Sequence, residues 1–483
     1  MTDKIKPVLL KGFQDFLPKE MIVRQRVFSI IQNVCEKFGF DPLDTPSIEK
    51  TEILTGNSPD FDMLIYRTGI ITGFGENKIL CQSCGEYFPN DKPVCPECGW
   101  PRREIQDTAL RFDLTVPLAR VVAANQDLPK PFKRYQTGKV WRGEKPQAGR
   151  YREFAQFDVD IVGSDSMLAD TEIVNLMYEV IKALGFDNFV IRINNRKILN
   201  GLAEYAGFKS VMKEVLRVLD KLEKVGTDKV KELLREIKVE GKEKSRTYTL
   251  FEGSVNKIID FINIKGGSQE ILGKLSLIFK DTPVGLEGVQ ELKEIVRNLK
   301  TLGIPEPNWA VDPSVARGLD YYTGPVFETT LTDLPEIGSV FSGGRFDGLV
   351  SRFSDSSSPA TGASVGVDRI FAAMKKLNMI DSVETMTQVF IINFDPNLEK
   401  DYLIMANELR GAGINTEIYL GKEKAFNAQL SFAAKQQIPV VIIFGPNEAK
   451  KKKVQIKDMS ARKQYEVDLN QCVNRVREIL SNL

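Results

Sequence analysis

The spacing of apolar residues changes twice along this chain, and these changes restrict its fold more than any other feature. Strand-like apolar runs such as Val159–Val162 and Phe189–Ile193 precede residue 199. Residues 199–308 then show a charged, helical pattern, and strand-like, glycine-rich sequence returns at 309–350. A sheet that begins before the helical block and is completed after it requires that block to be an insertion.

The C-terminal part of the sequence predicts a further domain. At 483 residues the chain exceeds one compact core, and after residue 387 short apolar runs alternate with helical patterns. We therefore expect an α/β protein, with an α+β domain on a mostly antiparallel sheet, a helical insertion and a C-terminal α/β domain. Their expected bounds are 1–198 with 309–380, then 199–308, then 387–483, and a helix over Val365–Met374 follows the first sheet.

The composition is that of an ordinary globular protein. Hydrophobic residues make up 42% and charged residues 27% of the sequence, and the net charge is +1. No apolar run approaches the ~18 residues of a membrane span, and the N-terminus lacks the order of a secretory signal. We expect a cytoplasmic protein that does not bind a membrane.

The sequence contains no histidine, which excludes several classes of chemistry. Ser-His-Asp hydrolysis, Cys-His proteolysis and His-ligated metal sites all need an imidazole. Carboxylates, arginines, backbone groups, the substrate or a bound cation must act instead. Since no remaining side chain has an ordinary pKa near neutrality, we expect any titration of the reaction rate close to ~6.5 to belong to the substrate.

Four of the six cysteines lie within residues 79–101. Cys81 and Cys84 form one pair, Cys95 and Cys98 form another, and a glycine follows each pair. Paired thiolates at this spacing can close a tetrahedron around Zn²⁺. Because cysteine fills all four positions, no coordination site stays open for a Lewis acid, and a structural zinc is expected.

A charged segment at residues 140–160 has the pattern of two strands joined by a loop that contains proline and glycine. Arg142 and Glu144 precede the loop, whereas Arg152 and Phe154 follow it. Guanidinium groups at such a hairpin suit phosphate binding, and a solvated charged hairpin is the alternative. The order Arg-x-Glu, loop, Arg-x-Arg-Glu-Phe resembles the second signature motif of class II aminoacyl-tRNA synthetases.

Further segments narrow this resemblance to one family. The histidine-binding signature of histidyl-tRNA synthetases is similar to residues 316–324, ARGLDYYTG, and its companion glycine-rich strand to residues 342–349, SGGRFDGL. Class II motif 3 resembles residues 362–370. The opening segment of the family and its dimer-forming motif 1 resemble residues 11–15 and 40–46.

The resemblance implies a two-step reaction. Histidine and ATP would form histidyl-adenylate and pyrophosphate, and the terminal ribose of tRNA(His) would then take the histidyl group. The histidine carboxylate is already an ionised nucleophile, so the first step needs no side-chain base. ATP, Mg²⁺ and a homodimer formed through motif 1 are further implications.

The resemblance also assigns individual side chains. Arg142 and Arg317 would act on the α-phosphate as catalytic groups, with Arg317 in place of one metal ion. Histidine would be bound by Asp113, Thr115, Gln156, Asp160, Arg317, Tyr321 and Tyr322. ATP would be bound by Arg142, Glu144, Arg150, Phe154 and Arg369, and the tRNA end by Lys145, Gln147 and Arg152.

Within the histidine site, Asp113 and Thr115 would hold the ammonium group, while Gln156 would contact either the carboxylate or the ammonium. Asp160 and Tyr322 would contact the two nitrogens of neutral imidazole, which offers one donor and one acceptor. Asp113 is shorter than the glutamate that is common in the family, and the cysteine segment is not usual there.

Two other functions stay open on the sequence alone. A non-catalytic regulatory paralogue could keep the fold in order to sense histidine, although Arg142, Arg317 and the C-terminal domain exceed what a sensor needs. A synthetase for another amino acid, such as threonine or proline, would share the class II motifs.

Overall fold

Two compact units make up the chain. The first contains Met1–Gln14 and Val27–Met379, and the second contains Asp15–Arg26 and Ile380–Leu483. The computed structural model describes residues 5–56, 65–68, 78–81, 83–89, 92, 94–99, 108–146, 151–219, 222–239, 246–316, 322–354, 358–380 and 384–482. Within these ranges no helix has both the length and the apolar character needed to cross a membrane.

In the second unit strands and helices alternate as far as the strand Lys453–Asp458, which the strand Lys463–Asp468 follows directly, whereas the first unit contains longer runs of strands and of helices. The strands are β1 (Asp41–Pro42), β2 (Ile48–Lys50), β3 (Tyr66–Thr68), β4 (Lys78–Leu80), β5 (Tyr87–Pro89), β6 (Thr108–Leu110), β7 (Phe132–Trp141), β8 (Glu153–Val162), β9 (Phe189–Asn195), β10 (Ile237–Val239), β11 (Arg246–Tyr248), β12 (Trp309–Val311), β13 (Pro325–Leu331), β14 (Ser339–Arg345), β15 (Ala360–Gly366), β16 (Val389–Ile391), β17 (Thr416–Ile418), β18 (Val440–Ile443), β19 (Lys453–Asp458) and β20 (Lys463–Asp468). The helices are α1 (Pro18–Lys37), α2 (Thr51–Thr55), α3 (Thr115–Ala124), α4 (Met167–Ala183), α5 (Arg196–Tyr205), α6 (Met212–Leu219), α7 (Leu222–Arg235), α8 (Glu252–Ile262), α9 (Ser268–Ile278), α10 (Pro283–Thr301), α11 (Val367–Lys376), α12 (Glu399–Gly411), α13 (Phe426–Lys435), α14 (Pro446–Lys451) and α15 (Cys472–Ser481).

An eight-stranded sheet forms the centre of the first unit, in the order β1-β7-β8-β15-β14-β13-β9-β12. The outer pairs β1–β7 and β12–β9 are parallel, and the pairs between them are antiparallel. Strands from both sides of the helical block therefore belong to one sheet. The predicted α/β class and mostly antiparallel sheet are confirmed.

The two faces of this sheet differ because side chains alternate along each strand. One face is apolar and buried, and it carries Phe157, Val159, Ile161, Ile191, Ile193, Phe327, Phe341 and Val365. Helix α4 packs on this face through its own apolar side, and Arg345 of the sheet forms a buried ion pair with Asp170 of α4. Each large apolar side chain buried here contributes roughly 1.5–3 kcal/mol. The opposite face is polar.

Helices α5 to α10 and the hairpin β10–β11 lie between β9 and β12 in the chain. This hairpin was not predicted from the sequence. Helix α10 packs against both α4 and α5. The α5–α10 contact is unusually close, because a Cβ atom on Gly201 would lie 2.6 Å from the Cα of Gly285.

The second unit contains a five-stranded sheet in the order β17-β16-β18-β19-β20. Strand β16 is parallel to β17 and β18, whereas β18, β19 and β20 are antiparallel. Its core includes Val389, Ile391, Tyr402, Leu409, Val440, Ile442, Val454, Ile456 and Val476. Strand β20 was not predicted from the sequence, because it is mostly exposed and charged.

The predicted helix over Val365–Met374 begins two residues late. Val365 and Gly366 belong to β15, where they pair with Phe157 and Gln156 of β8. Helix α11 therefore starts at Val367. Pairing with a neighbouring strand decided this boundary, and the local pattern of apolar residues does not contain that information.

The close α5–α10 packing predicts a large difference between two glycine substitutions. Gly201→Ala should lower the apparent free energy of unfolding by about 1–3 kcal/mol, because its methyl group would overlap Gly285 backbone. Gly273→Ala in α9 is the control: no atom lies within 4 Å of its Cβ position, so it should be neutral or stabilise by about 0.5–1 kcal/mol. Urea unfolding of both variants measures this, and equal effects would contradict the packing.

Candidate functional site

The polar face of the eight-stranded sheet carries the candidate site. Strand register places Asp160 between Arg134 and Gly362, and Asp158 opposite Ser364. Glycine and serine leave space above the sheet between the charged groups. The same face also bears Gln136, Gln156, Arg192, Asn194, Ser342 and Gly344.

A buried ion pair lies at the centre of this face. Arg134 Nη2 is 2.7 Å from Asp160 Oδ2, and the two side chains are 0% and 3% exposed. The angles of this contact are not those of a hydrogen bond, so Asp160 Oδ2 accepts none. Arg134 Nη2 donates to Leu114 O at 3.1 Å instead. Burial raises the pKa of Asp160 to about 7, although Arg134 favours the ionised form.

Asp113 lies just before helix α3 and belongs to the same electrostatic cluster. Its Oδ1 accepts a hydrogen bond from Val116 N at 3.2 Å, whereas its buried Oδ2 has no partner. Burial raises the pKa of Asp113 to about 6, and the Val116 amide and the charge of Arg142 oppose that rise. Asp113 also interacts electrostatically with Asp158 and Asp160. A cationic ligand would offset the repulsion among these three carboxylates.

Gln156 and Asp158 provide two more buried acceptors. Gln156 Nε2 donates to Ser364 Oγ at 2.9 Å, which leaves Gln156 Oε1 without a partner. Asp158 Oδ1 is also buried and without a partner. Burial raises the pKa of Asp158, whereas Arg134 and the Ser364 hydroxyl favour the carboxylate. A buried polar atom without a partner costs roughly 1–3 kcal/mol, so these oxygens indicate a ligand with several N–H donors.

Arg142 follows β7 and lies beside this acceptor cluster. Its Nε donates to Phe112 O at 3.0 Å, and its guanidinium carbon lies 5.1 Å from the centre of the Phe154 ring. Arg142 N also donates to Arg152 O at 2.8 Å, and Arg152 Nε donates to Glu144 O at 3.2 Å. Hydrogen bonds to backbone oxygens therefore join the two strands of the charged hairpin at Arg142 and Arg152. The bond to Phe112 O also fixes the guanidinium group of Arg142.

Glycines allow two predicted site residues to lie flat on the sheet. A Cβ atom on Gly362 would lie 2.0 Å from Asp160 Oδ1, and one on Gly344 would lie 3.0 Å from Tyr322 Cδ1. Larger side chains at these positions would displace Asp160 or Tyr322. The glycine-rich segments noted in the sequence thus form the floor of the site.

The structure brings together most of the predicted site residues that it describes. Asp113, Thr115, Arg142, Phe154, Gln156, Asp160 and Tyr322 lie on or next to the polar face. Arg369 Nη1 donates to Ser339 O at 2.5 Å, and its side chain lies over Gly366, which is opposite Gln156. Glu144 and Lys145 are exposed in the hairpin. Gln147, Arg150, Arg317 and Tyr321 lie outside the described residues.

Three residues of the polar face, Asp158, Arg134 and Ser364, were not predicted. Gln156, Asp158 and Asp160 alternate with apolar residues, so a strand must place all three on one face, and this signal could have identified Asp158. Arg134 and Ser364 gave no comparable signal. Their proximity to Asp158 and Asp160 depends on the register of strands that are distant in sequence.

The substrate is not the only group that can titrate near neutrality. Burial raises the pKa of Asp113 to about 6 and that of Asp160 to about 7. A protein without histidine therefore still has groups that titrate in this range, because desolvation disfavours their charged forms.

The four clustered cysteines form a second candidate site. Sγ atoms of Cys81 and Cys98 are 3.5 Å apart, those of Cys84 and Cys95 are 3.7 Å apart, and all four lie within 4.8 Å of one another. The glycine after each pair has a positive φ, 80° and 69°, and closes a tight turn. The backbone amide of Cys84 lowers the pKa of Cys81 to about 6, whereas burial and the neighbouring thiols raise the pKa of Cys84 to about 12.

The sheet with one polar face, the arginine hairpin and a separate C-terminal α/β unit together give the architecture of a class II aminoacyl-tRNA synthetase. A family model described as Histidyl-tRNA synthetase matches residues 104–370, and one described as Anticodon binding domain matches residues 388–479. Histidine--tRNA ligase of Clostridium tetani is 38% identical over 98% of this chain and 99% of the relative. That of Rhodopirellula baltica is 39% identical over 96% of each chain.

A solved structure agrees with these sequence matches. The histidyl-tRNA synthetase of Nostoc sp. PCC 7120 superimposes with a TM-score of 0.79 at 32% identity, covering 99% of this chain and 100% of that one. The protein belongs to the histidyl-tRNA synthetase family. Its C-terminal unit contains an anticodon-binding domain.

The raised pKa of Asp160 predicts an unusual pH dependence of stability. Its pKa is about 7 when folded and ~3.9 in a model peptide, so the folded state binds more protons between these values. Stability is therefore lost as pH rises through this window. Asp160→Asn removes that loss, so the stability of the variant relative to wild type should rise with pH, by up to about 1.4 kcal/mol per pH unit.

Urea unfolding of the unliganded proteins at about pH 5 and pH 7.5 measures this difference. At about pH 5 wild-type Asp160 is protonated, so Arg134 loses no counter-ion in the variant; at higher pH the attraction of Arg134 is already contained in the folded pKa of about 7. A relative stability that is constant or falls with pH would refute the assignment.

Proposed function

We propose that this protein joins histidine to tRNA(His) with ATP, through a histidyl-adenylate intermediate. The observation that carries the proposal is the group of buried acceptor oxygens without partners, on Asp113, Gln156 and Asp158, near Arg142. Such a cluster supplies acceptors for an α-ammonium group, and Arg142 supplies a cation for a neighbouring phosphate. Membership of the family supports histidine as the amino acid.

Histidine binding is proposed to use the polar face as follows. Asp113 and Thr115 hold the ammonium group, and Asp160 accepts from one ring nitrogen while Tyr322 donates to the other. Support comes from Arg134, which favours the ionised and therefore acceptor-only form of Asp160. Gln156, Arg317 and Tyr321 complete the proposed histidine site.

In the first proposed step, a carboxylate oxygen of histidine attacks the α-phosphorus, and the bond to the bridging oxygen of the leaving pyrophosphate breaks. Arg142 and Arg317 stabilise the negative charge that builds on the α-phosphate. Arg142 is suited to this because Phe112 O fixes its Nε, so the fork has one orientation. ATP is bound by Arg142, Glu144, Arg150, Phe154 and Arg369, and Mg²⁺ neutralises the outer phosphates when bound.

In the second proposed step, a hydroxyl of the terminal tRNA ribose attacks the carbonyl carbon of the adenylate, and AMP leaves. Lys145, Gln147 and Arg152 are proposed to contact the tRNA end. Arg152 has a further role in the hairpin, since its Nε donates to Glu144 O. The C-terminal domain, residues 387–483, would read the anticodon.

The assembly and location are also proposals. The catalytic domain would comprise 1–198 and 309–380, with 199–308 as the helical insertion. Homodimerisation would use motif 1, residues 40–46, where β1 forms an edge of the large sheet and Thr45 is held by buried Arg111. The protein would act in the cytoplasm.

A structural Zn²⁺ is proposed at Cys81, Cys84, Cys95 and Cys98. Tetrahedral zinc with Zn–S bonds of about 2.3 Å needs sulfurs about 3.8 Å apart. The observed 3.5 and 3.7 Å separations fit this requirement. Four thiolates would leave no open coordination position, so the metal would stabilise the segment and take no part in catalysis.

Pyrophosphate exchange into ATP tests the proposed function. The wild-type protein should exchange with histidine and with no other amino acid in a panel that includes threonine and proline. Arg317→Ala should reduce histidine-dependent exchange about a hundredfold or more, because one donor to transition-state charge typically supplies about 3 kcal/mol. A folded wild-type protein that binds histidine but never exchanges would be a regulatory paralogue, and the proposal would be wrong.

Elemental analysis tests the zinc proposal. One zinc per chain is expected, and Cys84→Ser should lose it and lower the midpoint of thermal unfolding. Zinc-finger peptides gain on the order of 10 kcal/mol from zinc, enough to decide whether such a segment folds. Ser83→Ala keeps all four thiols and should retain both metal and stability. Metal-free wild-type protein, or Cys84→Ser with normal stability, would refute the site.

A further inference from the structure

Thr323, the residue after Tyr322, is hydrogen-bonded to the end of β14 through both its main chain and its side chain. Its backbone N donates to Arg345 O at 2.8 Å. Its hydroxyl donates to Asp347 Oδ2 at 2.8 Å and accepts from Asp347 N at 3.1 Å, and a longer contact of 3.4 Å joins the hydroxyl to Arg345 O. Because a carboxylate only accepts and a backbone amide only donates, the direction of both bonds to Asp347 is fixed.

Asp347 is in turn held by a buried arginine. Asp347 Oδ1 accepts from Arg345 Nη1 at 3.2 Å, so its other oxygen serves Thr323. Arg345 is 3% exposed, and its Nε donates to Asp170 Oδ2 of helix α4 at 3.1 Å while its Nη1 donates to Ser164 O at 2.9 Å. Helix α4 therefore fixes the arginine, the arginine fixes the carboxylate, and the carboxylate fixes Thr323. Bonds between charged groups are stronger than neutral ones, so this connection is firm.

The ring of Tyr322 lies close to the same strand. A Cβ atom on Gly344 would lie 3.0 Å from Tyr322 Cδ1, and one on Gly324 would lie 2.9 Å from Arg345 Cδ. Tyr322 also packs against the apolar cluster that contains Phe346. Since a side chain takes one of a few staggered conformations, the position of the main chain decides how far the tyrosine hydroxyl reaches.

We infer that Thr323 and Asp347 are positioning residues that hold the hydroxyl of Tyr322 where it donates to a ring nitrogen of histidine. The inference rests on the proposed function, in which Tyr322 makes this contact. A hydrogen bond weakens steeply when its distance or angle leaves the preferred range, so a loosely held main chain would reduce the contribution of the hydroxyl. Neither Thr323 nor Asp347 touches the ligand, and both act through Tyr322.

Thr323→Val removes the hydroxyl and keeps the shape of the side chain. Water can take the place of the hydroxyl at Asp347, whose side chain is 35% exposed, so the variant should fold. Titration calorimetry without ATP should show about 3- to 10-fold weaker histidine binding, the value of one hydrogen bond between neutral groups. Thr323→Ser keeps the hydroxyl and should recover most of this affinity. Asp347→Asn leaves one acceptor oxygen for the two donors, Arg345 and Thr323, and should also weaken binding.

A double-mutant cycle with Tyr322→Phe separates positioning from a general loss of stability. Because Tyr322→Phe removes the hydroxyl that Thr323 is inferred to position, Thr323→Val should then weaken histidine binding by less than about twofold further. Thr329→Val in β13 is the matched control. Thr329 is 0% exposed, and its hydroxyl has no hydrogen-bond partner among the residues that the structure describes. This control should keep the histidine affinity of its parent in both backgrounds.

Three results would overturn the inference, and a fourth concerns the proposed function alone. An equal loss from Thr323→Val with and without the Tyr322 hydroxyl would show that Thr323 does not act through Tyr322. Wild-type affinity in Thr323→Val would show that its hydrogen bonds do not matter for binding. Equal losses in Thr323→Ser and Thr323→Val would show that the hydroxyl is not the responsible group. A folded wild-type protein that does not bind histidine would refute the proposed function itself.

Discussion

The charge of Arg134 determines how three buried carboxylates can share one face of a sheet. This side chain is completely buried, lies 2.7 Å from Asp160 and favours the ionised forms of Asp113, Asp158 and Asp160. Without it, desolvation and mutual repulsion would favour protonation of all three. A protonated carboxyl donates a hydrogen bond, so the same residues would present different chemistry to a ligand. The acceptor character of the site therefore depends on one buried cation.

The polar face of the sheet lowers the stability of the fold, and burial of the apolar face offsets this loss. Buried oxygens without partners each cost roughly 1–3 kcal/mol, whereas each large apolar residue on the other face contributes a similar amount with the opposite sign. The apolar face has the larger number of such residues, packed under α4, and the fold tolerates the polar face for that reason. A ligand that satisfies the free oxygens removes part of the cost, so binding and stability are coupled.

Several elements could be predicted because their signals are local. The period of two in Gln156, Asp158 and Asp160 fixes their common face, and the glycine after each cysteine pair fixes two tight turns. Other elements could not. Strand β20 is mostly exposed, and the first residues of the predicted helix α11 belong to β15, where they pair with β8. Pairing partners lie far away in sequence, so no local pattern reports them.

The sequence by itself determined the class of fold, the helical block within the sheet, the zinc-type cysteine spacing and the residues that resemble one enzyme family. Only the tertiary structure decided which groups stand next to which. It placed Arg134 against Asp160, Ser364 against Asp158 and Gly362 beneath Asp160, and it moved carboxylate pKa values toward neutrality in a chain without histidine. The physical reason is that hydrogen-bond direction and desolvation depend on burial and strand register, which arise only when distant segments pack together.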